Sequence, residues 1–140
     1  MKKRFLIISA AVIAVAVAGA AFAAPKSAKE LAREKKAELN GTQWAVTVRP
    51  AGSRGSAEED IITFAKGKVN SQNLSGAGFP NTDFTVRVEE DGNLIWETMQ
   101  IDEDGNHVFW RGDVKNGIMR GMLSKRDSRG RGSDYSFVSR

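Results

Sequence analysis

The sequence predicts an all-β protein, an eight-stranded antiparallel up-and-down barrel with a short N-terminal helix following a signal peptide. Three observations lead there. After Gly41 the apolar residues recur at every second position, as in Trp44, Val46 and Val48. Asp91-Gly92, Asp104-Gly105 and Asn116-Gly117 then punctuate alternating runs at hairpin spacing. No crossover helix separates those runs, so consecutive strands should pair as antiparallel neighbours.

Length and composition set the frame. A chain of 140 residues makes one domain. With no cysteine, disulfide frameworks, thiol nucleophiles and cysteine metal sites are excluded. Lys2, Lys3 and Arg4 precede an apolar stretch over 5–18, and Ala21-Phe22-Ala23 places small residues where a signal peptidase reads. Residues 1–23 are therefore expected to be a signal peptide, 24–40 a short helix and linker, and 41–140 the barrel. The product should be periplasmic or secreted, without stable membrane insertion after cleavage. An uncleaved anchor is the alternative, since the uncharged run from 5 to 25 could just span a bilayer. Losing 1–23 leaves 18 basic against 17 acidic side chains, so the basic pI gives no support to nucleic-acid binding. Charge is nevertheless uneven: residues 111–140 carry eight basic and three acidic side chains. The basic loop 125–131 could meet an anionic envelope polymer or lipid head groups, or simply be solvated.

Taken in order, Ser27 can cap a helix over 28–39, stopped by Asn40-Gly41. The helix either lies against the domain or acts as a spacer. A first strand carries Trp44, Val46 and Val48 and ends in a Gly/Ser loop over 50–57. Strands over 60–65 and 68–71 flank Lys66-Gly67, and a loop passes through Gly76, Gly78 and Pro80. Further strands are expected over 83–89, 93–101, 107–114, 118–125 and 134–139.

Reading each Asp-Gly or Asn-Gly as a two-residue turn fixes the register. Val86 then faces Glu97, Met99 faces Trp110, and Gly112 faces Gly121. This puts Phe84, Val86, Val88, Ile95, Met99, Ile101, Val108, Trp110, Val114, Met119 and Leu123 inside, with Glu97 among them. Arg87, Leu94, Trp96, Thr98, Phe109, Arg111, Asp113, Arg120 and Met122 fall outside.

Asn40-Gly41-Thr42-Gln43-Trp44 opens the first strand after a short helix, a meander follows, and Arg140 closes the last strand. In these features the chain resembles the calycin superfamily of small barrels, which includes the lipocalins and avidins. Its spacing is G-x-x-W where lipocalins have G-x-W. The resemblance implies a barrel that holds a small ligand, with the first-strand tryptophan looking across to an arginine near the barrel's end. It carries over no catalytic residues.

Two functions of different class follow. In the first, a small, partly apolar ligand binds in or at the mouth of the barrel. Glu97 would be its polar anchor beside Trp44 and Trp110, and Gly112 and Gly121 would clear space. An interior carboxylate needs a partner, a proton or an open mouth, and Lys125 could be that partner. In the second, the interior is filled and an envelope protein, or a second copy in a homo-oligomer, binds the outer face. Arg87, Trp96, Phe109, Arg111 and Met122 would form that patch, since these residue types are enriched at interfaces. Neither reading calls for a cofactor. Asp102–Asn106 echoes the start of a calcium loop but lacks the spacing and the distal glutamate. No nucleophile–base constellation is visible around His107, so no catalytic residues are assigned.

Overall fold

A computed structural model of the protein describes residues 24–52 and 55–140, so the expected signal peptide lies outside the described residues. Helix α1 (Ala28–Leu39) begins with a reciprocal cap: Ser27 Oγ accepts from Glu30 N at 3.2 Å, and the Glu30 carboxylate accepts from Ser27 N at 3.3 Å. Nine strands follow: β1 (Gln43–Pro50), β2 (Glu58–Ala65), β3 (Lys68–Ser71), β4 (Thr82–Asp83), β5 (Thr85–Val88), β6 (Leu94–Ile101), β7 (His107–Lys115), β8 (Ile118–Arg126) and β9 (Gly132–Ser139). A five-residue helix, α2 (Gln72–Gly76), occupies part of the expected loop after β3.

The sheet runs β4-β3-β2-β1-β9-β8-β7-β6-β5, every contact antiparallel. Its two ends, β4 and β5, are separated in the chain by Phe84 alone, which makes the barrel nearly closed. Nine strands form where eight were expected because the run expected over 83–89 splits there. Its first part pairs with β3 and its second with β6. The seam is stitched by side chains. Thr98 Oγ1 donates to Asp83 O (2.6 Å), Gln100 Nε2 to Pro80 O (2.8 Å), and Thr82 Oγ1 to Met99 O (3.3 Å). Helix α1 lies along β5 with Leu39 buried in the core, so the helix packs on the domain. Among the described residues, no helix is long and apolar enough to cross a membrane.

Turn length decides which side chains are inside. Asn116 (φ 52°) and Gly117 (φ 75°) both take the left-handed conformation of a two-residue turn, so Gly112 pairs with Gly121 and Trp110 with Leu123 as expected. The other two bends are longer by one residue. Glu89 N donates to Asn93 O and Gly92 N to Glu89 O, and the bend after Asp102 repeats both bonds. In each, only the glycine has positive φ (Gly92 84°, Gly105 80°), which is the geometry of a type I turn followed by a left-handed residue. Val86 therefore pairs with Trp96, and Thr98 with Trp110. That single step turns β6 over. Leu94, Trp96, Thr98 and Gln100 are inside, while Ile95, Glu97, Met99 and Ile101 face out, correcting the expected assignment of that strand.

The core is aromatic and filled. Trp96 is fully buried, with ring centroids 5.0 Å from Phe64, 6.1 Å from Trp110 and 6.2 Å from Phe137. Phe84 meets Phe64 edge-on at 5.0 Å. Beside Val48, Trp110 and Leu123 a cavity of about 20 Å³ is left, room for roughly one water.

Candidate functional site

The residues expected to form an interior ligand site are not brought together. Trp110 is buried, and its Nε1 donates to Gln100 Oε1 at 3.0 Å. Trp44 is half-buried against the core, with Nε1 on Thr42 Oγ1 at 2.9 Å. Gly112 faces inward, but the space it opens is taken by Trp96: a Cβ there would collide with Nε1 and lie 2.6 Å from Cε2. A Cβ on Gly121 would run into Arg111 O and come within 2.7 Å of Gly112 Cα, so this glycine lets β7 and β8 approach. Glu97 is on the other face of the wall. Arg140, the arginine that closes the last strand, bonds Glu59 at 2.9 Å.

What the fold does assemble is the outer wall of β6, β7, β8 and β9. Of the five residues expected there, Phe109, Arg111 and Met122 lie on it and Arg87 on the neighbouring β5, while Trp96 does not, because the longer bend before β6 turns it into the core. Successive partners across the wall form two rows. One reads Arg87, Ile95, Asp113, Arg120, Val138 and Thr47; the other reads Thr85, Glu97, Arg111, Met122, Ser136 and Arg49. Met99 sits directly opposite Phe109 in the row below. Met99 and Met122 are each about half exposed (52 % and 50 %), and Phe109, Ile101 and Val138 little less. Met99 and Phe109 are direct cross-strand partners, and exposed apolar side chains grouped in this way mark a candidate contact surface.

Electrostatics give the wall a sign. Glu97 is held between Arg87 (3.1 Å) and Arg111 (3.6 Å), and Arg87 also reaches Glu89 at 3.2 Å. Among the described residues, neither Arg49 nor Arg120 has a carboxylate in ion-pairing range, although Asp113 is Arg120's register partner. These two guanidinium groups flank a groove of about 440 Å³ running along β9. Thr47, Ser136, Met122, Val138 and Gly121 line it together with one carboxylate, Asp113. A second depression of about 270 Å³ lies beside it over Ile95, Arg111 and Met122.

Sequence reasoning placed Met99 inside and did not single out Arg49 or Val138, whereas it put Arg120 on the outer face opposite Asp113, where it lies. The bend chemistry could have exposed Met99. Asp102 stands three residues before Gly105, and its carboxylate accepts from Asp104 N (3.0 Å) and Asn106 N (2.8 Å), the bonds that lock the longer turn. A hydrogen bond from the Asn106 side chain, and with smaller effect these backbone amides, hold the Asp102 carboxyl below the ordinary aspartate range. The apparent calcium-loop start is therefore a self-capping hairpin.

No family model, curated protein or solved structure matches the chain, so the wall has to be interpreted from its own chemistry.

Proposed function

We propose that the protein is an exported, calycin-like barrel that works as an interaction module, binding an acidic partner protein through the outer wall of β6 to β9. The observation that carries this reading is the exposure of Met99, Phe109 and Met122 on one wall while the interior is packed shut. Methionine, phenylalanine and arginine are the types that interfaces favour. The charge distribution selects the partner. Arg87 and Arg111 are held by Glu89 and Glu97, whereas Arg49 and Arg120 are in no ion pair among the described residues, so the charge left over on this wall is positive and an acidic surface would be attracted there.

The test compares the wild type with Met122→Asp and Arg111→Glu as immobilised baits for envelope proteins. Any retained protein is then purified and its affinity measured directly. One acidic protein should bind the wild type and lose at least about tenfold in affinity to each variant, the scale of one central interface residue. Its association rate should fall as salt is raised. Retention unaffected by either variant would overturn the reading. So would native mass spectrometry showing a small molecule held by a protein whose partner binding does not involve the wall.

A further inference from the structure

A cleft of about 570 Å³ lies elsewhere, between α1 and β5. That is within the range of about 300–1,000 Å³ usual for small-molecule sites. One bank is a single stripe of the helix, Lys29, Ala32, Arg33 and Lys36, at the spacing that puts residues on one face. The other bank is Phe84, Thr85 and Val86 of the barrel seam. Glu30 lines the cleft as well, but its carboxylate is turned to the helix cap, and the three cations of the stripe are in no ion pair among the described residues. The acids of α1 are committed elsewhere: Glu30 to the helix cap, Glu34 to Lys26 at 2.6 Å, and Glu38 to Lys35 at 2.9 Å. Among the described residues, Lys29, Arg33 and Lys36 have no carboxylate in range, and Lys36 Nζ instead sits 4.7 Å above the Phe84 ring.

We infer that this cleft binds a single-chain anionic amphiphile, an alkyl tail carrying one negative head group. The tail lies along Ala32, Val86 and the aliphatic stems of Arg33 and Lys36, over the buried Phe84. The head group pairs with Lys29 and Arg33 on the helix bank, where the stripe offers two donors one turn apart. A hydrophilic anion lacks the apolar contact, and a cationic amphiphile of the same tail meets like charge. The site shares Thr85 of β5 with the rows across the wall but none of the wall's arginines or exposed apolar residues, so its charge-reversal variants leave the proposed partner-binding residues untouched.

Titration calorimetry on the purified protein tests it, using decanoate, decyltrimethylammonium and acetate below their micelle concentrations. Decanoate should bind, and lengthening the chain from octanoate should tighten binding by up to about fourfold per methylene. The other two should not bind. Lys29→Glu combined with Arg33→Glu changes exposed positions only, and circular dichroism melting will show whether the helix survives. In that variant decanoate affinity should fall at least about tenfold and decyltrimethylammonium should begin to bind. Equal binding of both head groups to the wild type, or decanoate binding indifferent to the charge reversal, would overturn the site. So would absence of decanoate binding together with charge-dependent binding to phosphatidylglycerol vesicles, which would assign the stripe to a membrane surface instead.

Discussion

Replacing Trp96 by alanine should be among the most damaging single changes in the barrel, and Glu97→Gln among the mildest. The two are adjacent in β6, and the register alone decides which is buried. Trp96 is fully enclosed and touches the rings of Phe64, Trp110 and Phe137. An aromatic side chain buries about 150–250 Å², which at ~25 cal/mol per Å² corresponds to about 4–6 kcal/mol. Measured truncations of this type cost about 3–5 kcal/mol, a large share of the roughly 5–15 kcal/mol that keeps a domain folded. Glu97 loses only partly exposed contacts to Arg87 and Arg111, worth under about 1 kcal/mol. Urea denaturation followed by circular dichroism will measure both. If Trp96→Ala fails to fold, Trp96→Phe keeps a ring and removes an indole N–H that has no hydrogen-bond partner among the described residues. That variant should fold with a loss below about 2 kcal/mol. A loss under about 1 kcal/mol for Trp96→Ala, or one above about 2 kcal/mol for Glu97→Gln, would mean that β6 is turned the other way.

Gly112→Ala should destabilise the fold by about 1–3 kcal/mol, because its Cβ would strike the immobile Trp96 indole; a melting temperature equal to wild type would refute the close approach. Asp60 is buried and accepts from Ser71 Oγ at 2.5 Å, Ile61 N at 2.7 Å and Asn73 N at 3.1 Å. Asp60→Ala would strand those donors at a cost of about 1–3 kcal/mol, and loss of amide protection at Asn73 in hydrogen exchange is the local check. Gln100→Ala should loosen the seam by orphaning Trp110 Nε1 and Pro80 O, seen as faster hydrogen exchange in β7, whereas unchanged rates would show the stitch to be dispensable. The Asp102 carboxyl is held low by Asn106 and the turn amides. Its contribution to stability is complete above the ordinary aspartate pKa and is lost as pH falls through the lower folded value. Asp102→Asn should flatten that acid limb, and a carboxyl titration by NMR at or above the ordinary value would contradict it.

Much of the architecture was legible because local chemistry specified it. Ser27 with Glu30 set the start of α1, and Asn116-Gly117 set both the turn and the faces of β7 and β8. Those positions have backbone requirements that few residues meet. Strand β6 is different. Its inward set is Leu94, Trp96, Thr98 and Gln100, and its outward set is Ile95, Glu97, Met99 and Ile101. By hydrophobic count the outward set looks more like core, so the binary pattern pointed the wrong way.

Contacts remote in sequence overrule that pattern. Trp96 goes inside because Gly112, its partner on the next strand, leaves room for its ring. Thr98 and Gln100 can follow because Asp83 O, Pro80 O and Trp110 Nε1 satisfy their hydrogen bonds. The sequence by itself determined where the chain bends and which stretches extend. Only the folded barrel decided which side of β6 meets water, since a buried polar side chain is tolerable only where closure of the sheet brings it a partner.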